Sequence, residues 1–379
     1  MRFDFQEKRR EKMKYLFLLG RNIELSVAEI KSFFERDKTS YKIISKIKNS
    51  ILIETDKNLK GIVEKLGGAI SMGEVIAEGN FEKLSKELDK LNLYSGKSNK
   101  LNYVVFDFHG KHFTDILLYL KNRFREEKLK ATEKKLTGNV KLQSGEIVPN
   151  VISNRVNEQY FVFEDNFGRI IETCDYEKIE KRDMEKPVRR EALSISPRLA
   201  KILINFSGIK EGETLLDPFC GIGTILQEAL LKNMKVIGID KDKSAIRDAG
   251  TNLEWFGFKT SDYKLINEDS SKAKIQNADA IATEPDLGEL QKKFPSLEKA
   301  RQVVSGFEGL IIKVINNLKK NVKGKIVFTT PLINTGKNKI ECDFKKIASE
   351  TGLRIAEGFP INEFREDSIV GRSIVVMKR

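Results

Sequence analysis

Cysteine and histidine are scarce in this chain, with three and two among 379 residues. Cys174, Cys220 and Cys342 lie far apart, which excludes the paired spacings of a zinc site and of a disulfide framework, so neither a metal nor a secreted scaffold is expected. His109 and His112 accompany no second ligand or nucleophile motif and read as surface or strand-edge residues, which disfavours a histidine-centred hydrolase. No stretch approaches the roughly 18 apolar residues of a membrane-spanning helix. Residues 1–14 hold six basic and three acidic side chains without an apolar run, so they read as a flexible arm, neither signal peptide nor membrane anchor. These absences lead to the expectation of a soluble, cytoplasmic protein with no membrane partner.

What is present is length, apolar residues and positive charge. A chain of 379 residues exceeds one ordinary core and implies two or three domains, and 40% hydrophobic residues support packing throughout. The formal charge of +13 and the pI near 9.3 favour an anionic partner, nucleic acid being the commonest. Lys, Ile and Asn are all abundant, as an AT-rich gene would also produce, so charge alone does not decide the partner.

Local patterns divide the chain. Tyr15–Leu19 reads as a buried strand, Leu25–Phe34 as an amphipathic helix opened by Ser26, Ile51–Glu54 as a strand and Leu59–Leu66 as a helix, with Gly67-Gly68 and Gly73 as punctuation. Val75–Ala77 would close this α+β unit, with a boundary near residue 80. Tyr103–Phe108 alternates as a strand, His112–Glu127 is helical, and Tyr160–Phe163 with Arg169–Thr173 form a hairpin turning at Asp165-Asn-Phe-Gly168. Asp175–Glu191 is charge-dense with no apolar period and reads as a linker. Pro197–Phe206 has helical spacing. The strands Thr214–Leu216, Val236–Ile239, Tyr263–Ile266, Ala278–Thr283 and Lys325–Thr329 then alternate with helical stretches, the signature of an α/β, doubly wound parallel sheet. Ser373–Met377 would add an antiparallel strand.

The chemistry concentrates at Glu213-Thr-Leu-Leu-Asp-Pro-Phe-Cys-Gly-Ile-Gly-Thr224, a buried strand running into a glycine turn, followed by Val236-Ile-Gly-Ile-Asp240. A parallel strand ending in such a turn brings backbone N–H groups close to a nucleotide-type ligand, and an acid ending the next strand can hold ribose hydroxyls. The dinucleotide pattern needs a third glycine, and Leu226 stands there; no Gly-Lys-Ser/Thr follows for a phosphate-binding loop. A nicotinamide oxidoreductase rests only on the strand-turn-acid order, and an ATPase is disfavoured.

Asp217-Pro-Phe-Cys-Gly-Ile-Gly-Thr224 resembles motif I of S-adenosylmethionine-dependent amino-methyltransferases. Tyr15-Leu-Phe-Leu-Leu-Gly-Arg-Asn-Ile-Glu-Leu-Ser-Val-Ala-Glu-Ile30, Leu66-Gly-Gly-Ala-Ile70, Arg182-Asp-Met-Glu-Lys-Pro-Val-Arg-Arg190 and Ser194-Ile-Ser-Pro-Arg-Leu-Ala200 extend the likeness from residue 15 to the C-terminus. With them the chain resembles the THUMP-containing tRNA guanine N2-methyltransferases of the archaeal guanine-10 type. The resemblance implies a ferredoxin-like domain over 15–80, a THUMP RNA-binding domain over 81–175, a linker over 176–192 and a Rossmann-like class I methyltransferase domain over 193–379. It implies tRNA as substrate, S-adenosylmethionine as cofactor and a small activator subunit as a candidate partner. Asp217, Cys220, Gly221, Gly223 and Thr224 would surround the methionine part of the cofactor, Asp240 the ribose, and Asp269 with Ser270 the adenine, although Asp240 and Asp269 could equally be helix caps. Arg182, Lys186, Arg189 and Arg190 would touch RNA, with a solvated linker as the plainer alternative.

The chain departs from that family at the reactive centre. Where Asp/Asn-Pro-Pro-Tyr/Phe is usual, it has Thr283-Glu-Pro-Asp-Leu-Gly288. In the usual chemistry the acid and a backbone carbonyl accept both hydrogens of an exocyclic amine and aim its lone pair at the methyl donor. Glu284 with Pro285 would keep the catalytic acceptor one methylene further out. Asp286 and Leu287, at substrate-contacting positions, lack the aromatic stack, a surface of about 1–3 kcal/mol. Phe294, Phe307 and Trp255 are the candidate replacements. A divergent active site, a changed target base and a catalytically silent tRNA-binding protein all remain open at this stage.

Overall fold

The computed structural model describes residues 12–20, 22–135, 139–141, 147–149, 156–190, 195–288, 293–364 and 368–379. The chain forms two compact units, one from residues up to 21, 38–64 and 69–176, the other from 22–37, 65–68 and 177–379. The expected arm falls mostly outside the described residues, and its last two residues already belong to the first strand.

The first unit is built from β1 (Met13–Leu19), β2 (Tyr41–Ile47), β3 (Ser50–Thr55), β4 (Ala69–Glu78), β5 (Lys100–Gly110), β6 (Lys130–Glu133), the small hairpin β7 (Asn139–Lys141) and β8 (Ile147–Pro149), β9 (Glu158–Glu164) and β10 (Asn166–Thr173). Among the described residues, one sheet runs in the order β2-β3-β1-β4-β10-β9-β5-β6. Because β4 pairs with β10, elements from both sides of residue 80 share a single sheet, and the boundary expected there does not divide it. The hairpin also turns earlier than expected. Phe167 is fully buried and pairs with Val162, which pulls Asn166–Gly168 into β10 and leaves the turn at Glu164-Asp165, with a Glu164 φ of 49°.

Among the described residues before α5, the helices are α1 (Ile23–Arg36), α2 (Ile62–Lys65), α3 (Phe81–Leu88) and α4 (Phe113–Glu126). In α3 and α4 the apolar residues Leu84, Leu88, Ile116, Leu120 and Phe124 recur at helical spacing and are all buried against the sheet. Helix α1 instead belongs to the second unit. Its cap is Asn22, whose side chain accepts from the Leu25 N–H, rather than Ser26, whose hydroxyl donates back to the Asn22 carbonyl.

The second unit continues with α5 (Tyr176–Met184), α6 (Pro197–Ser207), β11 (Thr214–Asp217), α7 (Thr224–Leu230), β12 (Lys235–Asp240), α8 (Lys243–Trp255), β13 (Tyr263–Asn267), β14 (Ala280–Thr283), α9 (Leu297–Leu318), β15 (Ile326–Asn334), β16 (Lys339–Ile340), α10 (Phe344–Thr351), β17 (Arg354–Ile355), β18 (Ile361–Glu363) and β19 (Val370–Lys378). Its sheet has the order β13-β12-β11-β14-β15-β19-β17, with the first five strands parallel and β19 antiparallel to β15. The strands are apolar on both faces, as a sheet covered on both sides requires. Leu215, Val236, Ala282 and Val327 face α6 and α7, while Leu216, Ile237, Ile281 and Phe328 face α9 and α10. No helix of the described residues is long and apolar enough to cross a membrane.

The expected linker contains helix α5, held largely by ionic contacts rather than by an apolar stripe, which is why periodicity did not reveal it. Gly67 and Gly68 are more than punctuation, because a Cβ at Gly67 would lie 2.0 Å from the Arg198 carbonyl oxygen and one at Gly68 2.5 Å from the Ser26 hydroxyl. Only glycine allows so close an approach to α1 and α6. Their N–H groups donate to the two carboxylate oxygens of the buried Glu29, at 2.8 Å each, and Asn205 Nδ2 donates to Oε1 at 2.6 Å. Burial pushes the Glu29 carboxyl up from its ordinary range while these donors pull it back. Replacing Glu29 with alanine strands three buried donors and should lower the unfolding free energy by about 1–3 kcal/mol, read from the denaturant midpoint of the intact chain.

Candidate active site

Strand order reverses direction of growth between β11 and β14, and in open parallel sheets ligands bind just beyond the strand ends at that place. There β11 ends at Asp217 and the chain turns through Gly221 and Gly223, with φ of 50° and 87°. That left-handed backbone suits glycine and explains their spacing. Asp240, ending β12, accepts from the Gly221 N–H at 3.0 Å and from the Asp242 N–H at 2.9 Å, so the two strand ends are tied together. Asn267 at the end of β13 donates to the Asp240 and Lys241 carbonyls, 3.0 Å each, and adds the third strand end.

Asp217 is 1% exposed and accepts from the Thr283 hydroxyl at 2.5 Å and the Phe219 N–H at 3.1 Å. Burial pushes its carboxyl up to about 7, the hydrogen bonds oppose this, and the charges of Asp240 and Glu284 add to the rise. Cys220 is buried beside it, and burial raises its thiol well above the ordinary value, so it serves as packing rather than as a nucleophile. The structure therefore brings Asp217, Cys220, Gly221, Gly223, Thr224 and Asp240 together. These residues fit a cationic nucleoside cofactor, since a buried carboxylate held away from ionisation gains from a nearby positive charge.

Asp269 is exposed and Ser270 buried in the segment after β13. The Asp269 carboxylate accepts from the Ser271 N–H at 2.8 Å, a capping contact that holds it below its usual range. The Ser270 hydroxyl is buried and donates to the Pro218 carbonyl at 2.5 Å, bracing the turn from behind.

Glu284 follows β14 directly, one residue after the Thr283 that binds Asp217. Its Oε1 lies 3.1 Å from Arg372 Nε without hydrogen-bond alignment, so the pair is coulombic, and Arg372 also reaches Glu363 at 3.3 Å. Burial raises the Glu284 carboxyl, Arg372 lowers it, Glu363 raises it and the Thr329 hydroxyl lowers it, with a net rise. Motif reading missed Arg372, Glu363 and Thr329. The one available signal was an arginine opening the otherwise apolar run Ser373–Met377. Pro285 is buried; Asp286 is exposed and accepts from the Gly288 N–H at 2.9 Å, closing a turn. Leu287 packs on the α9 core. Of the three candidate aromatics, Phe307 is buried in that core, while Trp255 and Phe294 are 45% and 58% exposed.

The basic residues assigned to RNA are mostly engaged inside the second unit. Arg182 forms a two-pronged pair with the buried Glu228, at 3.0 and 2.9 Å. Lys186 is buried and donates to Asp183 at 2.7 Å and, more weakly, to the Thr224 hydroxyl at 3.4 Å. Arg190 bonds Asp242, Ser244 and Asp248. Arg189 is exposed. Arg182, Lys186 and Arg190 thus form a strap against the segments around the glycine turn, held by charge-assisted hydrogen bonds to carboxylates. Among the described residues no cluster of His, Cys, Asp or Glu could hold a metal ion.

The strand order, the glycine turn and the acid after β12 are those of the class I methyltransferase fold. Residues 187–300 match the UPF0020 family model, described as RMKL-like, methyltransferase domain. A tRNA (guanine(10)-N2)-dimethyltransferase of Methanocaldococcus jannaschii is 27% identical over 276 residues, 68% of this chain and 77% of that protein. One of Methanothermobacter thermautotrophicus is 40% identical over 96 residues, 25% of this chain and 28% of that protein. The solved structure of TrmN from Thermus thermophilus aligns over 97% of this chain and 99% of its own at a TM-score of 0.51 and 12% identity, a likeness of fold.

Because a cation gains only from the ionised form of Asp217, affinity for a sulfonium cofactor should rise with pH through about 7 and level off above it. Below that point the slope should approach one decade per pH unit. Calorimetric titration across this range checks it, and Asp217→Asn should flatten the profile.

Proposed function

We propose that this chain transfers the methyl group of S-adenosylmethionine to the exocyclic N2 of a guanine in tRNA, position 10 being favoured by the names of its relatives. The observation that carries the reading is Glu284, an acid with a side chain only 11% exposed, set immediately after Thr283, the residue that hydrogen-bonds the cofactor-turn Asp217. When bound, the sulfonium supplies an electrophilic methyl, which leaves orientation as the main task of the protein.

Glu284 is suited to accept an N–H of the target amine, and the backbone at Pro285 to accept the second. Both contacts direct the nitrogen lone pair toward the turn. As the N–C bond forms, the nitrogen becomes more acidic, and a carboxylate whose affinity for protons has been raised by burial is suited to take the released proton. Arg372, 3.1 Å from the Glu284 carboxylate, opposes that rise. The first unit, with its large sheet, would hold the tRNA body, its affinity carried by phosphate contacts.

A second reading is favoured by Leu287, a half-buried aliphatic residue packed against the α9 core at the position where a stacking ring would be needed. It is a tRNA-binding protein that keeps the cofactor fold without catalysis. Single-turnover transfer of labelled methyl from S-adenosylmethionine to tRNA by the purified chain separates the two, and adding an activator subunit tests whether the chain acts alone. Under the first reading, mass spectrometry of tRNA should show N2-methylguanosine appearing with wild type. Glu284→Gln should reduce the rate by about 10²-fold or more while cofactor affinity is retained. Unchanged N2-methylguanosine in tRNA from cells lacking the gene would overturn it. Binding to tRNA should also weaken steeply with salt as condensed counterions are released.

A further inference from the structure

Lysine ordinarily extends its stem along apolar surface and keeps its ammonium in water. The Lys186 side chain is instead 2% exposed. Its position is set from both sides by the strap. Four residues earlier Arg182 grips Glu228, and two residues later Val188 is held by Asn252, which accepts from the Val188 N–H at 3.0 Å and donates to its carbonyl at 3.1 Å. The same Asn252 amide donates to the carbonyl of Ile222, between the two glycines of the turn, at 3.1 Å. Strap and cofactor turn are thus fastened together, with the ammonium against the Thr224 hydroxyl.

An ammonium has three protons to donate. Among the described residues, the hydrogen bonds of Lys186 go to Asp183 at 2.7 Å and to Thr224 at a long 3.4 Å. Asp183 has a side chain that is 25% exposed and can be resolvated. The turn otherwise presents the acids Asp217 and Asp240, which suit positive charge and hydroxyls but repel a carboxylate. Arg182 and Arg190 are engaged by Glu228 and by Asp242 with Asp248. The amino-acid end of S-adenosylmethionine carries both an ammonium and a carboxylate, so a site for it needs a cation as well as acids.

We propose that Lys186, with the Thr224 hydroxyl, is the carboxylate-recognition element of the cofactor site, binding the α-carboxylate of S-adenosylmethionine. This rests on the methyltransferase reading. It gives a segment that resembles an RNA-binding linker a role in selecting the methyl donor.

Calorimetry with S-adenosylmethionine and with its decarboxylated form, which lacks only the carboxylate, tests the assignment on the full chain without reference to turnover. Wild type should prefer the carboxylated ligand by about 10- to 100-fold. Lys186→Met should abolish most of that preference while leaving affinity for the decarboxylated ligand within about twofold, and Lys186→Arg should restore much of it. Thr224→Val should reduce the preference in the same direction, and it provides the same readout if Lys186→Met does not fold. Equal weakening of both ligands would show that Lys186 only anchors the strap, and an unchanged preference would place the carboxylate elsewhere; either result overturns the proposal. Failure of wild type to bind S-adenosylmethionine at all would instead overturn the methyltransferase reading beneath it.

Discussion

A single hydrogen bond, from the Thr283 hydroxyl to the buried carboxylate of Asp217, joins the two halves of the site. Asp217 ends β11 and begins the turn suited to the methyl donor. Thr283 ends β14 and precedes the acid suited to the acceptor amine. The strands are parallel neighbours, so their ends meet at the same edge of the sheet. Burial alone would leave Asp217 with a strong preference for its protonated form, and the Thr283 contact with the Phe219 N–H moderates that preference without satisfying it fully. A bound cation can then supply what the protein withholds, which makes cofactor binding and the charge state of the site one equilibrium.

The same logic governs Glu284. Burial raises its carboxyl, and its charge in turn adds to the rise at Asp217. Arg372 enters from β19, the strand that lies beyond β15, and is itself balanced by Glu363 on β18. The antiparallel end of the sheet therefore contributes to the candidate site, although the motif starts at the last residue of β14 and runs into the segment that follows it. This arrangement offers a physical account of how a longer acid could work where the related pattern has a shorter one. The longer side chain sets its Oε1 3.1 Å from the Arg372 guanidinium.

Much of the second unit was legible because its determinants are local. Runs such as Val236–Ile239 and Ile326–Phe328 are buried on both faces and give an unbroken apolar signal. Positive φ at Gly221 and Gly223 also leaves a direct mark on residue choice. Charged contacts left no comparable mark. The strap from Arg182 to Arg190 looks solvated because its partners, Glu228, Thr224, Asn252 and Asp248, lie 38 to 64 positions away. Helix α1 read correctly as a helix, yet its membership of the second unit depends on Glu29 meeting Gly67, Gly68 and Asn205.

By itself the sequence determined the alternating strands and helices, the glycine turn and the acid after the second strand of the parallel sheet, since period, burial and backbone sterics act within a few residues. It also carried the likeness that named a methyl donor. Only the tertiary structure decided which charges face inward. An ion pair depends on distance through space and on exclusion of water, and neither is written in the spacing of residues along the chain. That is why Arg372 came to stand beside Glu284, and why Lys186 lies against the cofactor turn.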